Sequence, residues 1–598
     1  MADFGLSVLT ERHHAENLLD HALPTELAPE DVERTSNGPM ILILRRGLPN
    51  RAESTLTKSV LRRGRRAYFY WPDENAIEVV TNERMQSFWR HRAVMRLYGL
   101  RVAHAERRAN RQAIRRAREM AREVAAQARR AANPARPPAR EPSRSSAREP
   151  ASTAARSPTR LDRLTNALAV ENGNYSVNGR GLYIRLDYWA KLTGGGSYGH
   201  TCYQAKALHK SCRDGLVCVT ASRFALLDDF AIPQITIPAR SHFADEYSLV
   251  HNAAAYEGVL EELVRLYEPT FVFERAVLGN RATSRICRRL GVPHIVEFNG
   301  SELTMSKVFG GREMENAATL QEIETETFRE ADVVCAVSDP VKDSIVSQGI
   351  NPEKVLVNPN GVDLDAYRPL PSAERIALRA SLGFDEGNVV VGFCGTFGGW
   401  HGIEVLAEAM PRILSERADA RFLLIGAGNF KHLVTEAIEA HGIASRVVDV
   451  GMVPQQAAAR LLAACDVLLS PHSKNMGDKP FFGSPTKLFE YMAYGVGIVC
   501  SDLVQLGEVM RPALTLDKRS AGFDPGLARS VLVTPASVDE LVAATIWLID
   551  EPTLREALGR NAQAAARAYY SWNVHVQSLW RFAAGEEPIG YHEDRGIA

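Results

Sequence analysis

The segment from Ser484 to Glu490 brings together residue types that suit an anion and a sugar ring. A helix is expected to begin near Thr486, with Ser484 at its N-cap and Pro485 at its first position. The first turn of a helix presents unpaired N–H groups and a positive dipole end, and Lys487 adds a charge there. Glu490 offers two acceptor oxygens to the vicinal hydroxyls of a ribose. The alternative for Glu490 is a solvated helix residue without a ligand.

A glycine-rich turn between Gly392 and Leu406 follows one predicted strand and precedes a helix. Such a turn has a general phosphate-binding geometry, because backbone N–H groups converge on an anion. Gly395 lies in this turn, and Thr396 and His401 are its polar side chains; the family resemblance described below implies that all three contact the donor phosphates. A hydroxyl and an imidazole donate hydrogen bonds but supply less positive charge than arginine or lysine at neutral pH. The alternative is a turn that serves only helix–strand packing.

A similar glycine turn, Leu192 to His200, lies in the first half of the chain. Glycines allow close backbone approach, so Gly195, Gly196 and Ser197 are expected to face an anion. His200, the last residue of this segment, is a candidate catalytic side chain. A tight connection with no ligand is the alternative.

These segments, in this order, resemble family 4 of the retaining glycosyltransferases, which have the GT-B fold. The resemblance extends from roughly Gly181 to Phe582. It implies that Glu490 binds the ribose of a nucleotide-sugar donor and that the two glycine turns lie near its phosphates. The family's other glutamate in this segment falls on Phe482, so its contact with the donor sugar passes to another residue, with Asp478 and Lys479 as candidates.

The resemblance also assigns residues to the acceptor side of the reaction. Asn299 stands where many members have a histidine near the reacting centre; an amide orients a hydroxyl but cannot act as a general base. The family's reaction is usually drawn with the leaving phosphate deprotonating the incoming hydroxyl. Glu302 is a candidate catalytic residue, and Glu302 and Glu274 are candidate acceptor contacts. For each carboxylate, a structural ion pair is the alternative.

The implied activity is a metal-independent transfer of a hexose from a nucleotide sugar, with no other cofactor. The acceptor is expected to be a glycan, a lipid-linked molecule or a small molecule. Two alternatives remain open, a GT-B nucleotide-sugar epimerase and a catalytically degenerate scaffold. The second is motivated by Phe482, Thr396 and Asn299, which replace family residues.

The elements that position these residues form two sets of alternating strands and helices, typical of doubly wound parallel sheets. We expect an α/β fold with two facing Rossmann-like domains, an acceptor domain over 161–368 and a donor domain over 369–570. A terminal helix and tail, 571–598, is expected to cross back to the first domain. The predicted strands are Gly181–Leu186, Leu216–Ala221, Phe271–Glu274, His294–Phe298, Val333–Val337, Val389–Cys394, Arg421–Ile425, Val447–Val450, Val467–Leu469 and Gly497–Cys500.

Two further regions precede these domains. Residues 1–88 contain a small α/β pattern, with strands at Met40–Leu44, Ala67–Trp71 and Ile77–Val80 and a helix over 53–61. Residues 89–160 form an Arg-rich helix and a disordered linker; from Arg90 to Arg160 there are 19 arginines and 5 glutamates. Three interpretations of this basic segment remain: a solvated arm, an element attracted to anionic lipid, and, least favoured, a coiled-coil or nucleic-acid contact.

Composition fits a large globular enzyme. The formal net charge is zero, so the rest of the chain is acidic and offsets the basic segment. The eight cysteines include no CxxC pair, which predicts buried free thiols in a reducing compartment and no zinc site. There is no apolar run of the ~20 residues that a membrane-spanning helix needs. We therefore expect a cytoplasmic protein, peripheral at the inner membrane face if the basic segment binds lipid.

Overall fold

The structure, a computed structural model, describes only part of the chain. The described residues are 40–43, 62, 67–71, 76–80, 115, 118–119, 122–123, 126, 158–187, 192, 194–237, 246–310, 314, 316–473, 481–520 and 525–589. The chain divides into two compact units, Met1–Arg111 and Gln112–Ala598.

The first unit contains a three-stranded sheet of order β1-β2-β3, in which β1 and β2 are parallel and β2 and β3 antiparallel. Its strands are β1 (Met40–Ile43), β2 (Ala67–Trp71) and β3 (Ala76–Val80). All three predicted strands are therefore confirmed, because short β-branched and aromatic runs suffice to mark them. The predicted helix over 53–61 lies outside the described residues.

The second unit begins with a helix and a hairpin that lead into a seven-stranded parallel sheet of order β12-β11-β10-β9-β6-β7-β8. The strands are β4 (Leu168–Glu171) and β5 (Asn174–Val177) of the hairpin, then β6 (Gly181–Arg185), β7 (Leu216–Thr220), β8 (Gln234–Thr236), β9 (Phe271–Arg275), β10 (His294–Phe298), β11 (Val333–Ala336) and β12 (Val355–Val357). The helices are α1 (Arg160–Ala167), α2 (Gly196–Ser211), α3 (Ala225–Asp229), α4 (Glu246–Tyr267), α5 (Ala282–Leu290), α6 (Glu302–Gly310), α7 (Ala317–Glu330) and α8 (Asp339–Val346).

A second parallel sheet, of six strands in the order β15-β14-β13-β16-β17-β18, forms the other Rossmann-like domain. Its strands are β13 (Val389–Cys394), β14 (Ala420–Ile425), β15 (Val447–Asp449), β16 (Val467–Ser470), β17 (Gly497–Ser501) and β18 (Val531–Val533). Its helices are α9 (Ser372–Ser381), α10 (Ile403–Glu416), α11 (Lys431–Ala440), α12 (Gln455–Leu462), α13 (Thr486–Met492), α14 (Gln505–Met510), α15 (Val538–Asp550) and α16 (Pro552–Tyr569).

The burial of whole strands is what a parallel sheet with helices on both of its faces is expected to show. Every residue of β6, β7 and β10 is buried, as expected for strands with helices on both faces. The expected pair of parallel Rossmann-like sheets is thereby confirmed. Strands β8, β12 and β18 were missed, because each has only three residues and lies at or near a sheet edge, where an apolar run is too short to recognise.

The terminal helix α17 (Trp572–Ala583) packs against the first Rossmann-like domain. The Trp580 ring is fully buried against Phe271, with centroids 5.0 Å apart, and its indole N–H donates to Ser211 Oγ at 3.2 Å. Gln577 exchanges hydrogen bonds with the backbone of Tyr175 on β5. The chain that leaves the second domain is thus tied to the first.

Part of the basic segment is also described. Arg118 and Arg122 both pair with Glu262 on α4, with N–O distances of 2.6 and 3.4 Å, and Arg115 pairs with Glu119 at 2.8 Å. These residues are helical. The predicted linker beyond them, residues 134–157, lies outside the described residues.

An aromatic row joins the two Rossmann-like domains below the opening between them. Tyr203 on α2 lies 5.9 Å from Tyr367, and Tyr367 lies 6.2 Å from Tyr494 (ring centroids). All three rings are buried in one apolar cluster that includes side chains of both domains. This row forms the floor of the cleft described next.

Candidate functional site

The two domains meet where the glycine turn of the first faces the helix start of the second. A Cβ added to Gly196 would lie 2.6 Å from Thr486 Oγ1, and one added to Gly199 would lie 2.7 Å from Gln455 Nε2. Gly195 takes φ +84° at the N-cap of α2, a left-handed conformation that favours glycine. The first glycine turn and the start of α13, far apart in sequence, are therefore in direct contact where the two domains meet, and the residues around this contact border the cleft between the domains.

Glu490 lies in this cleft and is only 8% exposed. Gln455 donates from Nε2 to Glu490 Oε1 at 3.5 Å and to the Tyr367 hydroxyl at 2.6 Å. Burial raises the pKa of Glu490 to about 7, against the lowering effects of Tyr367 and Lys487. The alternative of a solvated helix residue is therefore wrong, and a buried carboxylate faces the cleft one turn after its helix begins.

Lys487 lies across the second glycine turn along the chain, the one between Gly392 and Leu406. Its Nζ is 2.9 Å from His401 Nδ1 and 4.3 Å from the centroid of the Phe393 ring. Gly395, at φ +147°, leaves room for this amine, since a Cβ there would lie 2.6 Å from Lys487 Nζ. Burial lowers the pKa of Lys487 to about 7, although Cys394 and Glu490 act in the opposite direction. The turn, the amine and the imidazole form one surface suited to phosphate oxygens.

His472 belongs to the same surface and was missed by the sequence analysis. It follows β16, is fully buried, and lies 5.1 Å from His401 between ring centroids. Its Nδ1 is 3.0 Å from Ser470 Oγ, whereas its Nε2 has no hydrogen-bond partner among the residues that the structure describes. The only sequence signal is a polar residue directly after the carboxyl end of a buried parallel strand, where ligands of open α/β sheets bind.

Two residues of the predicted donor site, Ser484 and Pro485, have different local roles from those expected, whereas the role of Thr396 as a phosphate contact stays a prediction. The Ser484 hydroxyl accepts the N–H of Asn360 at 3.1 Å and does not cap α13, so its assignment as the N-cap is wrong. Pro485 is itself the N-cap of α13 and makes no side-chain capping bond. Thr396 is exposed at the second glycine turn. Asn360 lies between β12 and α9, in the connection between the two domains, and no local sequence pattern near Ser484 indicates this hydrogen bond.

Arg185, the last residue of β6, holds the first glycine turn in place. Its guanidinium donates to the Ser197 carbonyl and hydroxyl, each at 2.8 Å, and also bonds Thr201. Asp187 pairs with the same buried guanidinium. The Ser197 hydroxyl therefore serves as an acceptor in the support of the turn, a role the sequence analysis did not assign.

His200 lies below this turn in a buried network. Its Nε2 is 2.8 Å from Glu297 Oε2, and Arg275 Nη1 donates to the same oxygen at 3.1 Å. Burial lowers the pKa of His200 to about 4, more than Glu297 raises it, and Arg275 adds to the lowering. Burial would raise the pKa of Glu297, but His200 and Arg275 hold it below its usual value. His200 is thus a buried support of α2, which corrects its assignment as a catalytic residue.

Asn299 and Glu302 follow β10 on the side that faces the second domain. Gly300, at φ +113°, contacts Phe482 of that domain so closely that a Cβ would lie 2.3 Å from Phe482 Cε2. Asn299 Nδ2 is buried, and no described residue is its hydrogen-bond partner. Burial, aided by the charge of Asp187, raises the pKa of the half-buried Glu302 to about 8. Both predicted acceptor-side residues therefore border the cleft.

Glu274 does not belong to this group. It is buried in β9, where His294 Nε2 lies 2.9 Å from one carboxylate oxygen and Asn280 Nδ2 donates to the other at 2.7 Å. Its role is structural, and its assignment as an acceptor contact is wrong. Asp478 and Lys479, the candidate donor-sugar contacts, lie outside the described residues.

Several whole-chain observations complete the description. All eight cysteines are free thiols, seven of them buried, as predicted. Within the described ranges, no three His, Cys, Asp or Glu side chains are grouped as a metal ion would require. No helix in those ranges combines the length and the apolar character needed to cross a bilayer.

Two family models match the chain. One, described as Glycosyltransferase Family 4, matches residues 195–366, and the other, described as Glycosyl transferases group 1, matches residues 388–551. Together they cover more than half of the sequence. The first match lies within the first Rossmann-like domain and the second within the second.

Curated relatives are similar over one part of the chain. A GDP-mannose-dependent monoacylated alpha-(1-6)-phosphatidylinositol monomannoside mannosyltransferase of Corynebacterium glutamicum is 25% identical over 228 residues, 38% of this chain and 55% of that protein. The 2-deoxystreptamine glucosyltransferase of Streptomyces kanamyceticus is 28% identical over 280 residues, 46% of this chain and 70% of that protein. The chain thus spans little more than half of the mannosyltransferase.

Solved structures share the fold. The crystal structure of Anabaena Alr3699/HepE in complex with UDP and glucose is similar with a TM-score of 0.52 and 18% sequence identity. The matched region covers 67% of this chain and 98% of the Anabaena chain. A glycosyltransferase from Rickettsia africae has a TM-score of 0.53 and 16% identity, and covers 70% of this chain and 100% of its own. At such low identity these likenesses establish the fold alone.

Proposed function

The chain belongs to glycosyltransferase family 4 and has the GT-B fold, and from this premise we propose that it transfers a sugar from a nucleotide-sugar donor to an acceptor hydroxyl with retention of configuration. One observation carries the proposal. The buried carboxylate of Glu490 and the amine of Lys487 lie one turn apart on α13, which borders the cleft at its contact with the glycine turn at Gly196. We propose that the carboxylate faces the ribose and the amine faces the phosphates of one nucleotide.

The donor is proposed to bind along the second domain. Glu490 accepts hydrogen bonds from the ribose hydroxyls, which suit a carboxylate because it has no donors to mispair. Lys487 and His401 face the phosphates beside Gly395. No metal ion or further cofactor is needed for this arrangement, because the amine and the backbone N–H groups supply the positive potential.

The acceptor is proposed to bind on the first domain, near Asn299 and Glu302. The bond between the anomeric carbon and the leaving phosphate oxygen breaks, and the acceptor oxygen bonds to that carbon on the same face. The acceptor proton passes to the leaving phosphate, which needs no protein base. Asn299 Nδ2 is buried and has no partner in the described part of the chain, which supports its proposed role as a donor to a sugar hydroxyl.

The names of relatives narrow the acceptor classes worth testing. They include phosphatidylinositol, D-inositol 3-phosphate and 2-deoxystreptamine transferases. Each of these names contains a cyclitol, either inositol or 2-deoxystreptamine. We therefore include cyclitol-containing lipids and small molecules beside glycans as candidate acceptors. Peripheral contact of the basic segment with anionic lipid, and location at the inner membrane face, remain predictions, because most of that segment lies outside the described residues.

The relatives are named as transferases, which favours transfer over an epimerase or a scaffold. A thermal-shift screen of the full chain against nucleoside diphosphates and their sugars identifies the donor, because selective binding raises stability. Transfer to the acceptor classes above is then measured, with Glu490→Gln as the comparison. Loss of a charged hydrogen bond predicts about a tenfold to hundredfold weaker donor binding by this variant.

The alternatives give different results in the same assay. An epimerase interconverts the free donor without an acceptor. A scaffold shows neither turnover nor stabilisation by any nucleotide. Either result contradicts the proposed function.

A further inference from the structure

Three nitrogen-bearing side chains form a buried cluster at the carboxyl edge of the second sheet. This nitrogen cluster consists of Lys487 on α13, His401 before α10 and His472 after β16. Lys487 Nζ is 2.9 Å from His401 Nδ1, and the two imidazole rings are 5.1 Å apart. Three separate elements of the domain thus direct basic groups toward one point.

The nitrogen cluster has more donors than acceptors. In the part of the chain that the structure describes, no carboxylate lies within ion-pair distance of Lys487, and His472 Nε2 has no hydrogen-bond partner. His472 is 0% exposed and Lys487 is 6% exposed, so bulk water has little access to their nitrogens as a hydrogen-bond partner. Burial of a polar group without a partner costs free energy, so such a group at the edge of a cleft indicates a missing ligand.

The backbone around the cluster allows His401 and His472 to lie close together. Gly402, at φ +66°, packs so closely on Pro471 that any side chain at that position would collide with the Pro471 carbonyl. This contact brings the turn that carries His401 against the residues that carry His472. Ser470 Oγ, 3.0 Å from His472 Nδ1, fixes the ring and leaves Nε2 for a ligand.

We propose that His472 is a third phosphate-binding residue, and that His472, His401 and Lys487 take up protons from solvent as the donor diphosphate binds. This inference rests on the proposed function, since it names how that donor site holds its anion. The diphosphate supplies negative charge, which the side chains of the cluster do not provide. In exchange, each nitrogen that becomes protonated gains a charged hydrogen bond to a phosphate oxygen.

At neutral pH burial keeps the two histidines of the free cluster uncharged, whereas Lys487, with a pKa of about 7, is about half protonated. Burial lowers the pKa of His401 and His472 well below the ordinary value, and the charge of Lys487 lowers both further. Within the described residues, Cys394 on β13, Glu490 on α13 and Cys500 on β17 also act on Lys487, and each raises its pKa. A dianionic ligand reverses this balance, because it raises the pKa of every nearby base.

Calorimetry tests the proposal directly. UDP, GDP and inorganic pyrophosphate are titrated into the full chain at about pH 7 in buffers of different ionisation enthalpy, which gives the number of protons taken up. Wild type is expected to take up about one proton or more with a nucleoside diphosphate, and His472→Gln fewer, with about tenfold weaker binding. Uridine and guanosine, which lack phosphate, are expected to cause no uptake at the cluster.

Matched variants separate ligand binding from structural effects. His441→Gln removes an exposed histidine of the same domain and is expected to behave as wild type. Thermal unfolding checks that His472→Gln is folded, and His401→Gln provides a second variant of the cluster. Both cluster variants are expected to lose part of the proton uptake.

The outcomes are distinct. Diphosphate binding by wild type without proton uptake overturns the inference, and so does equal uptake and affinity in His472→Gln. Failure of wild type to bind any nucleoside diphosphate overturns the proposed function, and the inference with it. Uptake that His472→Gln reduces and His441→Gln preserves supports both.

Discussion

Gly196 at the start of α2 lies directly against Thr486 at the start of α13, so closely that a single added methyl group would lie 2.6 Å from the threonine hydroxyl oxygen. The two residues belong to different Rossmann-like domains. Their contact brings the first glycine turn onto the helix start that is proposed to face the donor phosphates. The width of the cleft therefore depends on the absence of a side chain at position 196.

Gly196→Ala is expected to reduce kcat/KM for transfer by about tenfold to hundredfold, since overpacking of this contact displaces one wall of the cleft. The measurement is steady-state transfer with the donor found in the thermal-shift screen. Gly194→Ala is the matched control, because a Cβ at Gly194 would meet no atom within 4 Å. Equal activity of the two variants would show that the contact does not shape the site.

Lys487 gives the donor affinity a pH dependence of definite sign. Its pKa is about 7 in the free protein and is expected to rise when phosphate binds. Binding then takes up a proton, so affinity is highest below about pH 7 and falls as pH rises above it. Measured dissociation constants for a nucleoside diphosphate between about pH 6 and pH 9 check this slope. Lys487→Met should bind more weakly with a flatter profile; an unchanged slope would remove Lys487 from the site.

The same residue affects the stability of the unliganded protein in the opposite sense. The pKa of Lys487 is lowered on folding from 10.5 to about 7, so the unfolded chain binds more protons between those values. The free energy of unfolding therefore rises with pH across that window, and the buried lysine destabilises the protein at neutral pH. Lys487→Met is expected to raise the Tm of the empty protein while it lowers the stabilisation by nucleotide. A lower Tm for the empty variant would contradict this account.

The fold and most of the donor site follow from local sequence patterns, and the exceptions have physical causes. Glu490 and Lys487 were found because their spacing within one helix turn is encoded locally. His472 was missed because one polar residue after the carboxyl end of β16 is a weak signal until β13, β16 and α13 come together. The role of Ser484 was mistaken because its partner, Asn360, is distant in sequence. Tertiary partners of this kind override local capping preferences.

Arg185 illustrates the same limit on the first domain. As the last residue of a buried strand it looks like an ordinary strand end, yet it holds the turn that carries Gly196 through its bonds to Ser197 and Thr201. Arg185→Lys keeps the charge but loses the forked geometry that reaches both residues. Transfer should fall by about tenfold or more, with kcat affected as well as KM.

The control for this variant is Arg223→Lys. Arg223 lies in the same domain and pairs with Asp228 at an exposed site, where an ion pair contributes little. Hydrogen exchange of the first glycine turn is expected to increase in Arg185→Lys alone. Unchanged exchange and activity in Arg185→Lys would mean that the turn is held by other contacts.

Glu302 offers a test of the acceptor side that does not involve the donor. Its pKa of about 8, raised by burial and by Asp187, favours the protonated carboxyl at neutral pH. In that form we expect it to donate a hydrogen bond to an oxygen of the acceptor substrate. Above about pH 8 it ionises and loses that donor, so the KM for the acceptor should rise while the KM for the donor does not. Glu302→Gln keeps a neutral donor of similar shape and should retain activity at neutral pH without the rise. An acceptor KM that climbs equally in both proteins would place the titrating group elsewhere in the cleft.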